Sequence, residues 1–127
     1  MRGESPIIRS DGKFSRDYIY VEDAASAYMT LAESMSKDST VKGQAFNFSY
    51  ESPLSALEVV NIVLAQMGRT DLEPQILNTA HNEISHQYLS SQKARKILGW
   101  QPKFSFEEGL KRTIPWYEEL LAGGTHG

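Results

Sequence analysis

The spacing of hydrophobic and polar positions changes several times along the chain, and each change marks an element. "DYIYV", Asp17–Val21, gathers aromatic and β-branched residues into five positions and predicts a strand. From Glu22 the period turns helical. Ala24, Ala27, Tyr28, Leu31, Ala32 and Met35 fall on one face, and Asp23 in the first turn complements the positive end of the helix dipole. A face so rich in alanine suits close approach to a sheet or another helix. "QAFNFS", Gln44–Ser49, predicts a second strand, with a turn at Pro53.

The next helix carries the clearest signals. Ser55 and Glu58 have the spacing of a capping box, and Leu54 with Val59 supplies a hydrophobic staple. Val60, Val63, Leu64 and Met67 continue as an apolar stripe, with Gly68 as the stop. "LEPQIL", Leu72–Leu77, predicts an edge strand, because Pro74 has no N–H to give a central ladder. "HQYLSS" leads into a short helix with Ser90 as N-cap, Ala94, Ile97 and Leu98 as its buried face, and Gly99 as its stop. Trp100 is placed to fold back over that helix end. The last helix opens on a second capping box, Ser105 and Glu108, and buries Leu110, Ile114, Tyr117 and Leu121. Pro115 inside it predicts a bend near Lys111–Pro115, since a mid-helix proline costs about 3 kcal/mol unless the helix kinks.

Strands joined by helices give an α/β or α+β class, with few short strands and four main helices. The pattern predicts one partial domain over residues 1–121 and a flexible tail at 122–127. Three or four short strands are thin for a parallel sheet that needs helices on both faces. The chain therefore reads as part of something larger.

Composition narrows the function classes. The 127 residues suffice for one domain with a core but not for two. Apolar content of 40% and charged content of 23% are ordinary for a soluble globular protein. A net charge of −3 argues against nucleic acid and against an acidic membrane surface, so an anionic ligand has to be held by a few local cations. The absence of cysteine excludes disulfides, thiolate zinc sites and cysteine nucleophiles, and fits a reducing, cytoplasmic setting. No apolar run approaches the roughly 18 residues of a membrane span.

Three segments then change the picture: "SDGKFSRDYIYVEDAASAY", "GQAFNFSYESPLSALEVV" and "HQYLSSQKARKILGWQPKFSFEEGLKRTIPWY". Their order and register resemble the C-terminal, substrate-binding part of the Rossmann-type nucleotide-sugar epimerases and dehydratases of the extended short-chain dehydrogenase/reductase family. The wording of the third segment is most similar to the CDP-glucose 4,6-dehydratase branch. In that family the arginine of "RDYIYVED" reaches the pyrophosphate of the nucleotide sugar, which puts Arg16 in that role. The chemistry is apt, because guanidinium is permanently charged and its planar fork matches phosphate oxygens. Taken from the residues alone, Arg16 can equally be a strand-edge cation paired with Asp17 or Asp23. The intact run from Arg16 to Asp23 favours the anion clamp.

The resemblance places a second wall of the nucleotide pocket just before "YLSSQKA". There Glu83 matches the position of an acid that can hold a ribose hydroxyl. No arginine or lysine lies between Asn78 and Tyr88, so His81 or His86 has to stand in for the second phosphate anchor, with a weaker and pH-dependent charge. The substrate-binding set is thus Arg16, Glu83 and His86.

The family's remaining chemistry finds no residues here. No three glycines have the spacing of a dinucleotide-binding turn. No tyrosine has lysine four residues on; Tyr88 and Lys93 are five apart. The expectation is no catalytic and no cofactor-binding residue in this chain, NAD being bound elsewhere in an intact relative, and no dehydratase activity from the chain alone. In such a relative, NAD oxidises the hexose C4 hydroxyl, water is lost across C5–C6, and the hydride returns to C6. The part seen here grips the nucleotide so that the sugar is presented.

Other constellations carry less. His81, Glu83 and His86 lack the spacing of a helical metal site and predict a solvated loop rather than a metal centre. Lys93, Arg95 and Lys96 read as a solvated helix face, and Glu107–Glu108 followed by Lys111–Arg112 as ordinary helix-stabilising pairs. Two functional expectations result. One is weak binding of a nucleotide diphosphate sugar. The other is a non-catalytic, self-associating module, because the apolar stripe beginning near Asp23 needs a cover, and a homo-oligomer supplies one.

Overall fold

The computed structural model describes residues 3–80 and 83–123. Its elements are short strands and four helices, as the sequence pattern predicts. Strand β1 (Ile7–Ile8) pairs in parallel with β4 (Gln75–Ile76). A second sheet has β2 (Ser15–Arg16) at its centre, antiparallel to β3 (Leu54–Ser55) and parallel to β5 (His86–Gln87). The helices are α1 (Val21–Lys37), α2 (Ala56–Gln66), α3 (Gln92–Leu98) and α4 (Phe106–Leu121), with one 3-10 turn at Ser39–Val41. The buried apolar residues are Ile8, Ala27, Val41, Ala94 and Trp100. Trp100 folds back as expected: its ring meets Phe48 edge-on at 5.1 Å and its Nε1 donates to Ser26 Oγ at 3.2 Å.

The strand expected over Asp17–Val21 is displaced. Strand pairing covers Ser15–Arg16, and Val21 already begins α1. The reason lies in what the run is attached to. The Asp17 carboxylate accepts from Ser49 Oγ, and Tyr20 N donates to the Tyr50 hydroxyl at 3.2 Å instead of to a ladder. The rings of Tyr18 and Tyr20 lie 5.5 and 5.2 Å from Phe106 and Phe104. Gln44–Ser49 forms no strand either. Side chains hold that run: Phe48 on Trp100, Phe46 beneath the Lys93 ammonium at 4.6 Å, and the Ser49 carbonyl accepting from Ser91 Oγ at 3.1 Å. Aromatic and β-branched enrichment here marks packing of an extended segment, not pairing. The edge strand at Leu72–Leu77 shortens to Gln75–Ile76, directly after Pro74.

Both capping boxes form, Ser55 with Glu58 and Ser105 with Glu108, each exchanging two hydrogen bonds. Helix α4 runs unbroken through Pro115. The start of α3 departs from expectation: its N-cap is Ser91, not Ser90, and the Ser91 side chain makes no capping bond. A carboxylate from far along the chain replaces it. Glu51 Oε1 accepts from Ser91 N at 2.8 Å and from Ser90 Oγ at 2.9 Å, while Oε2 pairs with Arg95 at 3.0 Å. Glu51 reaches them from φ 58, a left-handed conformation uncommon for a residue with a side chain.

Several expected core residues are exposed. Tyr28, Ile97, Tyr117 and Leu121 show 77, 47, 47 and 58% of their surface. Helix α3 packs on α1 and α4 on α2, which covers one flank of each and leaves these positions outside. Periodicity names an apolar face; it does not supply the cover. Conversely, two cations of the supposed solvated face of α3 are engaged, Lys93 Nζ on the Ala45 carbonyl at 2.9 Å and Arg95 on Glu51. Arg112 turns from its own helix to Glu22 at 3.2 Å and lies over the Phe104 ring. Among the described residues no helix is long and apolar enough to cross a membrane.

Candidate functional site

The sheet centred on β2 decides which side chains can meet. Parallel pairing sets Ser15 opposite His86 and Arg16 opposite Gln87, and Ser15 N donates to the Ser85 carbonyl at 2.9 Å. The segment from Glu83 to His86 is thereby laid along the strand that carries Arg16. All three expected binding residues, 67 or more positions apart from Arg16 in the case of the other two, reach one sheet edge.

Arg16 is held by backbone. Its Nη1 donates to the Ser15 carbonyl at 2.8 Å and to the Ile84 carbonyl at 2.9 Å, which uses both hydrogens of that nitrogen. Its Nη2 stands 3.6 Å from Glu83 Oε2, the side chains being 31 and 47% exposed. Among the described residues, then, hydrogen bonds occupy one nitrogen. The Nε–Nη2 edge is the two-donor fork that matches a pair of phosphate oxygens. His86 is fixed as well: Ser15 Oγ and His86 Nδ1 lie 2.9 Å apart. When the hydroxyl donates, Nε2 carries the ring proton and becomes a neutral donor. His81, the other candidate anchor, lies outside the described residues.

Neither Asp17 nor Asp23 pairs with Arg16; both face the interior network described next. Asp23 is fully buried. Its Oδ1 accepts from Lys103 N at 2.8 Å, and its Oδ2 accepts from Phe104 N at 3.2 Å and from the Tyr50 hydroxyl at 2.6 Å. Burial, with help from the hydrogen bond to Asp23, pushes the Tyr50 hydroxyl far above the ordinary tyrosine range. Asp17 takes the Ser49 hydroxyl, whose oxygen in turn accepts from Glu51 N at 2.9 Å. Sequence reasoning missed this network. Asp23 carried a signal, its first-turn position, but its partners lie up to 81 residues away and leave no local trace.

Two grooves open on other faces. One of about 550 Å³ lies between Tyr18–Val21 and α4, lined by Phe106, Leu110, Thr113 and Trp116 among others. A smaller one of about 230 Å³ follows α2, with Val60, Leu64, Met67 and Arg69 in its walls. Arg16, Glu83 and His86 line neither, so the three form an open shelf at the sheet edge.

The family model described as GDP-mannose 4,6 dehydratase matches residues 2–113. UDP-glucuronate 4-epimerase of Thermodesulfobacterium geofontis is 30% identical over 119 residues, covering 93% of this chain and 35% of that protein. dTDP-glucose 4,6-dehydratase of Xanthomonas campestris pv. campestris is 28% identical over 126 residues, covering 92% of this chain and 34% of that protein. Among solved structures, UDP-glucose 4-epimerase of Thermotoga maritima with UDP-glucose superposes with a TM-score of 0.79 at 30% identity, over 94% of this chain and 37% of that one. The chain thus spans about a third of the length of these relatives.

Proposed function

This chain belongs to the GDP-mannose 4,6 dehydratase family, whose members are nucleotide-sugar epimerases and dehydratases of the extended short-chain dehydrogenase/reductase class, and from that premise we propose that its β2–β5 edge binds the diphosphate of a nucleotide sugar. The observation that carries the reading is the parallel pairing that lays Glu83–His86 beside Arg16 while backbone carbonyls engage only Nη1. Arg16 is the phosphate clamp, His86 a second donor, and Glu83 an acceptor for a ribose hydroxyl. The T. maritima neighbour, similar over 94% of this chain, was solved with UDP-glucose, which supports the ligand class. The third segment's likeness to the CDP-glucose branch makes cytidine the first base to test.

The described helix starts do not fit NAD. A dinucleotide pyrophosphate needs free N–H groups at a glycine-lined helix N-terminus. Here Ser55 and Ser105 cap α2 and α4 with their own side chains, and α1 presents Glu22 and Asp23 in its first turn. We therefore derive no hydride step through this chain and assign it positioning of the nucleotide, with redox and proton-transfer groups belonging to other parts of a full-length relative.

One charge-assisted contact contributes about 1.5–3 kcal/mol, so the chain alone binds near the millimolar level, about −4 kcal/mol. Titration with CDP, UDP, GDP and dTDP, followed by NMR shifts or calorimetry, is the test. Shifts clustered at residues 15–16 and 83–87 are expected, and their loss in Arg16→Ala. An equal response of both proteins removes Arg16 from the account.

A second reading has its own observation. Val21, Tyr28 and Met29 on one flank of α1 are 70, 77 and 62% exposed. A contiguous apolar flank favours self-association, and a homodimer is the simplest closed form. Light scattering that finds a monomer at high concentration ends this reading.

A further inference from the structure

Resting on the diphosphate reading, we propose that Glu83 is a latch on Arg16: its carboxylate stands where the diphosphate must approach, and binding transfers it from the guanidinium to the ribose. Three facts carry this. Arg16 Nη1 is saturated by the Ser15 and Ile84 carbonyls, so any phosphate must use the Nε–Nη2 edge. Glu83 Oε2 sits 3.6 Å from Nη2, too far for a hydrogen bond and close enough for an ion pair. The Ile84 carbonyl that orients Arg16 is the next residue's, so ordering of that turn and approach of Glu83 are set by the same backbone.

The pair is partly exposed, and its attraction is correspondingly modest. It is strong enough to compete with a weak anion and weak enough to be displaced by one with two negative phosphates. Once displaced, the carboxylate becomes available to accept from a ribose hydroxyl. Glu83 therefore opposes a bare diphosphate and assists a nucleoside diphosphate. A passive hydroxyl acceptor would only assist; a merely structural ion pair would do neither.

The test uses inorganic pyrophosphate and UDP as separate probes, titrated by calorimetry and NMR into the wild-type chain, Glu83→Gln, Glu83→Ala and Arg16→Ala. Both Glu83 variants are expected to bind pyrophosphate about threefold more tightly than wild type, the scale of one weak exposed pair. For UDP the order inverts: Glu83→Ala, which has lost the acceptor, binds less tightly than wild type. Arg16→Ala binds neither probe measurably. If Arg16→Ala loses pyrophosphate while the Glu83 variants match wild type, the latch is overturned and the diphosphate site stands. If pyrophosphate and UDP bind no form, both proposals fall together.

Discussion

The two ends of one eight-residue run, "RDYIYVED", do opposite things. At its end Asp23 is fully buried, accepts from Lys103 N, Phe104 N and the Tyr50 hydroxyl, and ties the first turn of α1 to the segment that starts α4. At its beginning Arg16 is one-third exposed, is steered by two carbonyls, and meets a carboxylate that a ligand can replace. Between them Tyr18 and Tyr20 pack on Phe106 and Phe104. A motif that identifies a family is thus mostly a folding device, with one side chain turned outward for chemistry.

The contrast makes its largest prediction at Asp23. Asp23→Ala strands two buried N–H groups and a hydroxyl, each costing about 1–3 kcal/mol when unsatisfied. A combined loss of about 3–5 kcal/mol is expected in urea unfolding, a large share of the stability of a domain this size. Asp23→Asn, which keeps one acceptor oxygen, loses less. A loss below about 1 kcal/mol in the alanine variant would erase the difference between the two ends.

Gly109 probes the packing between them. A Cβ built there meets Tyr20 Cβ at 2.9 Å, and Tyr20 Cβ is fixed close to the backbone. Overpacking of this kind costs about 1–3 kcal/mol, against a helix-propensity gain of about 1 kcal/mol for replacing glycine. Gly109→Ala should be net destabilising, by about 1 kcal/mol in the same assay. Stabilisation would mean that α4 slides easily over Tyr20.

How much of this was legible follows the range of each interaction. Both capping boxes were readable because Ser55–Glu58 and Ser105–Glu108 act within one turn. Trp100 after Gly99, which adopts φ 68, was readable for the same reason. The strand at Asp17–Val21 was misread because its backbone and acid are spent on Ser49 and Tyr50, over 30 residues away. The cap of α3 was misassigned to Ser90 because Glu51, 40 positions earlier, takes the Ser91 N–H. At the shelf, resemblance supplied Arg16 and Glu83 as ligands, but their mutual pairing needed the β2–β5 register.

Glu51 gives a pH-dependent test of the tertiary cap. Hydrogen bonds from Ser90 and Ser91, and then the Arg95 charge, hold its carboxyl below the ordinary value of 4.5. A depressed folded-state pKa contributes stability above the unfolded value, and that contribution fades as pH falls through the folded pKa. The stability gap between wild type and Glu51→Gln should therefore be widest near neutral pH and close below about pH 4.5. A gap that is constant with pH would assign Glu51 a packing role instead of an electrostatic one.

The smallest stability effect belongs to Arg16, and it completes the comparison. The guanidinium satisfies no buried donor or carboxylate; its two acceptors are carbonyls at an exposed edge, and its ion pair is solvated. Arg16→Ala is expected to change unfolding free energy by less than about 1 kcal/mol, and NMR should show an unaltered fingerprint outside residues 83–87. Its cost falls on binding: losing one charge-assisted contact of about 1.5–3 kcal/mol weakens a millimolar ligand beyond detection. A variant that unfolds early and binds as before would reverse the assignment, making position 16 the structural end of the run. A variant that folds normally and no longer responds to pyrophosphate keeps the two ends apart: one built for the chain itself, one for an anion.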